Sequence, residues 1–565
     1  MARRSRRREP VLSREVGAVR KPWGGRIRVA LVYPNRYETG MSNLGFLSIH
    51  ARINAREDAL CERAFLPGPG APRGDRDGSR GETRTLESGR LLAEFDVVAF
   101  SLSFENDLLH LPALLQAGGV PPFREDRHPP ARKGAGTGAP LVLAGGFAAS
   151  LNPEPVGTMA DAVVVGDGER AIETLLDRGE PRFGDAEYRK ELAAIPGLYV
   201  PAGYRPEYSP GEDPRLVALH PLPGFPSRVR REEISLEEFP PMPVVLAERT
   251  ELGRMALLET SRGCPKRCGF CAAAHACPRF REVPPERFRA LVDAAWPHRT
   301  TIGFVGAAVL DWRPFREIAR EILARGGAVS PASVRADLVD GEIAEILRRS
   351  GHRTVSLAPE CGDEPLRYRI GKRVPDETFR TAARTLARAG IVSFKLYFLT
   401  GVPGTEREEE TEGILRFLRS FREALLAQGR SIGRMGTVTA VLSPFVPKPF
   451  TPMQWAPMAR EEELTARHAR IAAAVRRIPN LRVRAESPRA SLLQGYLGLS
   501  DRRAGSALRA AMAGKVRPDA PAFDPPLPFV VHREKPFGEF LPWDVIEGGL
   551  PKRTLWTRYR TVTRG

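Results

Sequence analysis

Between Met255 and Leu442, six short apolar or β-branched runs recur, each trailed by a helical pattern. They are Met255–Leu258, Thr301–Val305, Ala328–Val334, Thr354–Leu357, Val392–Leu399 and Thr437–Leu442. In Pro375–Gly390, Phe379, Ala382, Ala383 and Leu386 fall at i, i+3, i+4 and i+7, with proline near the start and glycine past the end. A strand that must return parallel to its predecessor needs such a crossover, so the alternation predicts repeated βα units. Six units are too few to close an eight-stranded barrel and predict an open, partial one over residues 251–458.

Upstream, Ile27–Tyr33, Phe95–Leu102, Leu141–Leu143 and Ala162–Val165 read as buried strands separated by helical patterns, which predicts a parallel α/β sheet domain over 23–184. Pro67–Arg84 and Pro121–Pro140 carry Pro, Gly and charge without period and read as loop insertions. Residues 185–250 read as a connector, and 459–565, with a helical stretch at Arg460–Ile478, as a C-terminal extension. A length of 565 residues accommodates about three to four domains.

The net charge of +18 suggests a nucleic-acid footprint until it is located. Residues 1–28 hold ten basic and two acidic residues, and 551–565 hold five basic and none acidic, so the middle is nearly balanced. Residues 1–22 read as a basic, disordered tail. The C-terminal run Lys552–Arg560 interleaves Trp556 and Tyr559 with cations, which reads as a solvated tail or as an RNA contact. No run reaches the ~20 apolar residues that span a bilayer, and the N-terminus lacks the apolar core of a secretion signal. Six cysteines in so long a chain make no disulfide framework, and three of them share one loop. The expectation is a cytoplasmic protein without a membrane partner.

That loop is Thr260-Ser261-Arg262-Gly263-Cys264-Pro265-Lys266-Arg267-Cys268-Gly269-Phe270-Cys271, directly after the first barrel run. Ligands of α/β barrels sit at the C-terminal ends of strands. Cys264, Cys268 and Cys271 form Cys-x3-Cys-x2-Cys, three thiolates that suit a 4Fe–4S cube with one iron left open. A structural zinc site needs four protein ligands, and His275 supplies a fourth for a Cys3His alternative. Cys277, Cys61 and Cys361 read as incidental or packing thiols.

The spacing and the Arg-Gly-Cys-Pro lead-in resemble the radical S-adenosylmethionine (radical SAM) superfamily. The resemblance implies an α/β fold with an N-terminal Rossmann-like sheet, a partial (βα)6 TIM-type barrel and a C-terminal α+β extension. It implies a 4Fe–4S cluster on Cys264, Cys268 and Cys271 and S-adenosylmethionine on the open iron. A reductase or a flavodoxin- or ferredoxin-type donor would supply one electron, and the resulting 5′-deoxyadenosyl radical would take hydrogen from a substrate the sequence does not name. Phe270 stands where an aromatic touches the adenine. Gly306 and Ala307, in Gly-Phe-Val-Gly-Ala-Ala, stand where many relatives carry Gly-Gly-Glu for the methionine amino group. Ser333 and Arg335 end the third strand and offer a hydroxyl and a guanidinium for a carboxylate. Glu360 ends the fourth and faces the ribose, and Tyr397 lies in the fifth-strand segment Lys395–Gly404. No catalytic partner to the substrate radical stands out.

Val32–Phe46, Phe100–Glu105, Asn152–Pro155, Gly166–Glu169, Ser443–Pro449 and Leu541–Asp544 look like one uncharacterised family of radical SAM proteins. Its N-terminal domain resembles a cobalamin-binding fold. Where histidine-ligated cobalamin requires Asp-x-His-x-x-Gly, Asn35–Gly40 has no histidine, which leaves only cobalamin bound without such a ligand open. The alternatives are a cobalamin-assisted methyltransferase, a tRNA-modifying transferase, or, from another class, a zinc-stabilised RNA-binding protein without catalysis.

Overall fold

The computed structural model describes residues 11–67, 81–127, 138–182, 184–211, 214–404, 407–512 and 523–564. Most of the two proposed insertions, at 68–80 and 128–137, lies outside the described residues, as does 1–10.

Six strands form the N-terminal sheet: β1 (Ile27–Tyr33), β2 (Ala59–Phe65), β3 (Val97–Ser101), β4 (Leu141–Gly145), β5 (Ala162–Val164) and β6 (Leu198–Tyr199), in the order β2-β1-β3-β4-β5-β6. The first five are parallel and β6 runs against β5. Parallel strands are covered on both faces, which is why β1 is almost wholly apolar. The sequence reading missed β2, because Glu62 and Arg63 interrupt its apolar pattern. Both are buried: Arg63 is clasped by Glu15 and Glu87, at 2.6 and 2.7 Å, and Glu62 accepts from Trp23 and Thr85.

Glu15 corrects the view of residues 1–22 as a disordered tail. Among the described residues of that stretch, Val11–Arg14 form a 3-10 turn, Val16 bridges to Leu246, and the Glu15 side chain is fully buried against Arg63 and the Tyr37 hydroxyl. The other basic end is corrected too. Lys552–Arg564 form a helix that buries Leu555, Tyr559 and Val562, with Trp556 and Tyr559 against Trp455 at ring separations of 5.0 and 5.9 Å. The aromatics that suggested a stacking tail are packing residues.

All six barrel strands form, at Ala256–Glu259, Thr301–Val305, Ala328–Pro331, Thr354–Glu360, Ser393–Thr400 and Val438–Pro444. The first three make a three-stranded parallel sheet and the last three belong to a four-stranded one. The fourth strand of the second sheet is a seventh barrel strand, Leu481–Ala485, parallel to the sixth. It lies in the stretch assigned to the C-terminal extension; its sequence, Leu-Arg-Val-Arg-Ala, is half charged and gives no apolar run. Along the fifth strand, Phe394, Leu396 and Phe398 are buried under the helices, with Phe394 against Phe421 and Phe398 against Phe417. Alternate residues point oppositely, so Lys395, Tyr397 and Leu399 face the barrel interior.

Three joints lock the domains together, and each uses a motif singled out in the sequence. Asp167 and Glu169 bind Arg262 of the cysteine loop at 3.0 and 2.6 Å. Glu154, wholly buried, receives Arg502 at 2.8 Å, while Asn152 donates to the carbonyls of Gly498 and Ser500. Glu105, also buried, accepts from Lys448 after the sixth barrel strand and from Gln494 of the helix Pro488–Leu499.

Candidate active site

The cysteine loop is pinched at its base. Ser261–Arg262 pair antiparallel with Arg281–Glu282, and Gly263 turns the chain inward at φ +79°. A Cβ on Gly263 would lie 2.4 Å from the Arg279 carbonyl, so only glycine permits the loop to close. Within the loop the Cys271 N–H donates to the Cys268 carbonyl, and the short helix Ala272–His275 starts straight after Cys271. The segment after the fourth barrel strand braces the other side. Gly269 N–H donates to the Ile370 carbonyl at 2.7 Å, and Gly371, at φ +81°, lies so close to Cys268 that a Cβ would sit 2.9 Å from the Arg267 carbonyl.

The three cysteines are partly exposed and lie within electrostatic reach of one another. Burial pushes the Cys268 thiol up to about 12 and raises Cys271; neighbouring Cys264 and Glu360 add to both, while Lys372 opposes at Cys268. Thiols in this state stay protonated until a metal replaces the proton. Among the described residues, no three His, Cys, Asp or Glu side chains converge as a single metal ion requires. A four-iron cube holds thiolates at separate corners and does not need them to meet at one point, so the donor set fits a cluster. His275 Nε2 is engaged with the Cys268 carbonyl at 3.0 Å, and burial lowers its pKa to about 4, so it is a neutral brace for the loop.

Phe270 is half-buried and lines a cavity of about 630 Å³ where all three parts of the chain meet. The sheet domain contributes Phe104 and Asn106; the barrel, Leu399, Ser443 and Arg484; the extension, Ala490 and Gln494. Glu360 occupies the left-handed region at φ +66°, where a non-glycine residue is strained, beside an irregularity in the strand register. Its carboxylate is 3.4 Å from Lys372 Nζ, and burial, the larger influence, raises its pKa. Gly306 packs so tightly on the cysteine strand that a Cβ would lie 2.7 Å from Thr260 Oγ1, while neighbouring Ala307 is exposed. Ser333 is half-buried just past the third strand. Arg335 feels the charge of Cys264, but Asp337 and Asp311 already hold its guanidinium, the latter at 3.2 Å. Tyr397 faces the barrel interior and is 37% exposed. The structure thus gathers the cysteines, Glu360 and Arg335 around the loop. Tyr397 lies on the interior face and Phe270 opens the cavity. Lys372 and Arg484 carried no sequence signal, since each comes from a segment without a motif, whereas Phe104 belongs to the motif Phe100–Glu105 with no role assigned to it.

Residues 258–418 match the Radical SAM superfamily model, and 45–201 match the model described as Radical SAM proteins, N-terminal. The chain belongs to the radical SAM superfamily. It is therefore an enzyme, and the cofactors of radical SAM enzymes are a 4Fe–4S cluster and S-adenosylmethionine. An uncharacterized protein of Methanocaldococcus jannaschii is 23% identical over 75% of this chain and 78% of its own length. The ribosomal protein uS12 methylthiotransferase RimO of Salinispora arenicola is 24% identical over 60% of this chain and 69% of its own. The radical S-adenosylmethionine methyltransferase TsrM from Kitasatospora setae, solved with cobalamin and a 4Fe–4S cluster, overlaps 77% of this chain and 80% of its own at a TM-score of 0.48 and 16% identity. The loop after β1 has no histidine of its own where Asp-x-His-x-x-Gly would place one; Asn35 there donates its side-chain amide to Asp107, and His110 Nδ1 lies 2.9 Å from the Pro34 carbonyl. No helix among the described residues is long and apolar enough to cross a membrane.

Proposed function

We propose that Cys264, Cys268 and Cys271 hold the 4Fe–4S cluster and that substrate binds in the cavity beside Phe270. The observation that supports this is the cavity's position: one wall is Phe270, between two of the three cysteines, and another is the interior face of the fifth and sixth barrel strands. A cluster held there would supply the single electron for reductive cleavage of S-adenosylmethionine to methionine and a 5′-deoxyadenosyl radical, the species that would take a hydrogen atom from substrate.

The chain's own residues bind and shield. Gly306 and Ala307 offer backbone carbonyls to the methionine amino group in place of the missing glutamate, and Ser333 offers its hydroxyl to the carboxylate. Arg335, neutralised by Asp311 and Asp337, contributes donor geometry more than net charge. Phe270 stacks on the adenine, Glu360 accepts from the ribose hydroxyls, and Tyr397 closes the floor. Phe104 and the helix Pro488–Leu499 line one side of the cavity.

The electron comes from a flavodoxin- or ferredoxin-type protein or a reductase. Anaerobic reconstitution, iron and sulfide analysis and assay of 5′-deoxyadenosine under dithionite test the reading. About four irons per chain and release of the nucleoside are expected, and both are lost when any one of the three cysteines is replaced by alanine. A Cys264→Ala/Cys268→Ala/Cys271→Ala protein that still released the nucleoside would refute the assignment.

A further inference from the structure

The interior sheet face that runs down from the cavity carries an unmatched charge, and of its three cations Arg484 lines the cavity itself. Lys395, Tyr397 and Leu399 point into the barrel interior from the fifth strand, and in register beside them stand Thr439, Val441 and Ser443 of the sixth. The seventh strand continues the rows: Thr439 pairs with Arg482 and Val441 with Arg484. Leu481 and Val483 pack under the helices, so Arg482 and Arg484 share the face of Lys395. Neighbouring strands are about 4.8 Å apart and alternate residues about 7 Å, so three cationic side chains rise from a patch about 10 Å by 7 Å. Such long side chains can close on a single group.

None of the three has an ion-pair or hydrogen-bond partner among the described residues, and all three are exposed. This chain otherwise gives many of its arginines carboxylates, including Arg262 and Arg335 beside the cysteine loop and Arg502 at the Glu154 joint. On the neighbouring fourth strand Glu360 is held by Lys372, and Glu486, which lines the cavity, is exposed. Cations on an edge strand often serve only to block pairing with another chain, which would account for Arg482 and Arg484. It does not account for Lys395, whose strand has partners on both sides.

We infer that the substrate of this enzyme is anionic, and that Lys395, Arg482 and Arg484 bind a phosphate or carboxylate group at the barrel floor. The opposite end of the substrate then lies toward Phe270 and the cysteines, where hydrogen is taken. This names the substrate class for the site proposed above and rests on that reading. Guanidinium and ammonium groups that are exposed before binding and enclosed after it give charge-assisted bonds without the cost of burying unpaired cations beforehand.

The test uses the cluster-reconstituted enzyme and two probes, inorganic pyrophosphate and citrate, titrated calorimetrically at low salt. The variants are the single Lys395→Gln, the triple K395Q/R482Q/R484Q, and a control triple R205Q/R353Q/R419Q that removes the same charge from exposed positions elsewhere. At least one probe is expected to bind wild type and the control alike, about three-fold weaker to Lys395→Gln and at least ten-fold weaker to the floor triple. The preferred probe then separates a phosphate from a carboxylate substrate. Equal binding by the two triples, or no binding of either probe to wild type, overturns the inference. Release of 5′-deoxyadenosine without substrate is measured on the same samples. Its absence from wild type would refute the cluster assignment without touching the anion result, and its persistence in the floor triple shows that the triple is folded and loaded.

Discussion

Arg262 Nη2 donates to Glu169 Oε1 at 2.6 Å across the seam between the cysteine loop and the N-terminal sheet domain. Asp167 at 3.0 Å and Glu259 at 2.8 Å complete the cage, and Asp167 also takes Arg281 from the far side of the loop. The Gly-Asp-Gly-Glu turn of one domain thus fixes both ends of the segment that carries the cysteines in another.

Replacing Arg262 by methionine leaves three carboxylates without their common cation. Removing one partner from a buried charge cluster costs about 3–5 kcal/mol. A lower denaturation midpoint and faster iron loss are expected for Arg262→Met, while Glu169→Gln, which leaves Asp167 and Glu259 in place, should cost about a third as much. Iron release to a chelator and urea titration measure both.

Two glycines with nearly equal φ separate backbone strain from close approach. Gly326, at +80°, has nothing within 4 Å of a built Cβ, whereas Gly371, at +81°, abuts the Arg267 carbonyl and Cys268. Gly326→Ala should cost about 1–2 kcal/mol from the left-handed conformation alone. Gly371→Ala should cost more and, unlike Gly326→Ala, reduce the iron retained after reconstitution.

His50 predicts an acid-sensitive sheet domain. Burial first, and then Arg63, lower its pKa from 6.5 to about 3, so the folded protein keeps it neutral where the unfolded chain protonates it. The unfolded state therefore binds more protons between those values. The contribution is fully present above about pH 6.5 and is lost as pH falls toward 3, by about 1.4 kcal/mol per unit. His50→Leu should flatten that part of the stability–pH curve, measured by denaturant midpoints from pH 7 to 4.

Arg502 and Glu154 make the corresponding test for the C-terminal extension. Arg502→Met would strand a fully buried carboxylate with Tyr199 as its remaining side-chain partner and should cost about 3–5 kcal/mol. The double variant Arg502→Met/Glu154→Gln should recover much of that loss, which equilibrium unfolding can resolve.

The sequence by itself determined the class. Periodicity located all six expected barrel strands because buried parallel strands and their covering helices must be apolar at fixed intervals, and three cysteines at set spacing needed no fold to be recognised. It did not show β2 or the seventh barrel strand, because buried or interior-facing charge erases the apolar pattern. Nor could it tell that Glu15 and Tyr559 are core residues in basic segments, since their burial depends on Arg63 and Trp455, which lie far off in the chain. Only the tertiary structure decided what the outlying motifs are for: Glu105, Glu154 and Glu169 each meet a cation hundreds of residues away or across a domain boundary. It also set Lys395, Arg482 and Arg484 side by side, because strand register, which local sequence does not encode, brings three unrelated positions onto one face.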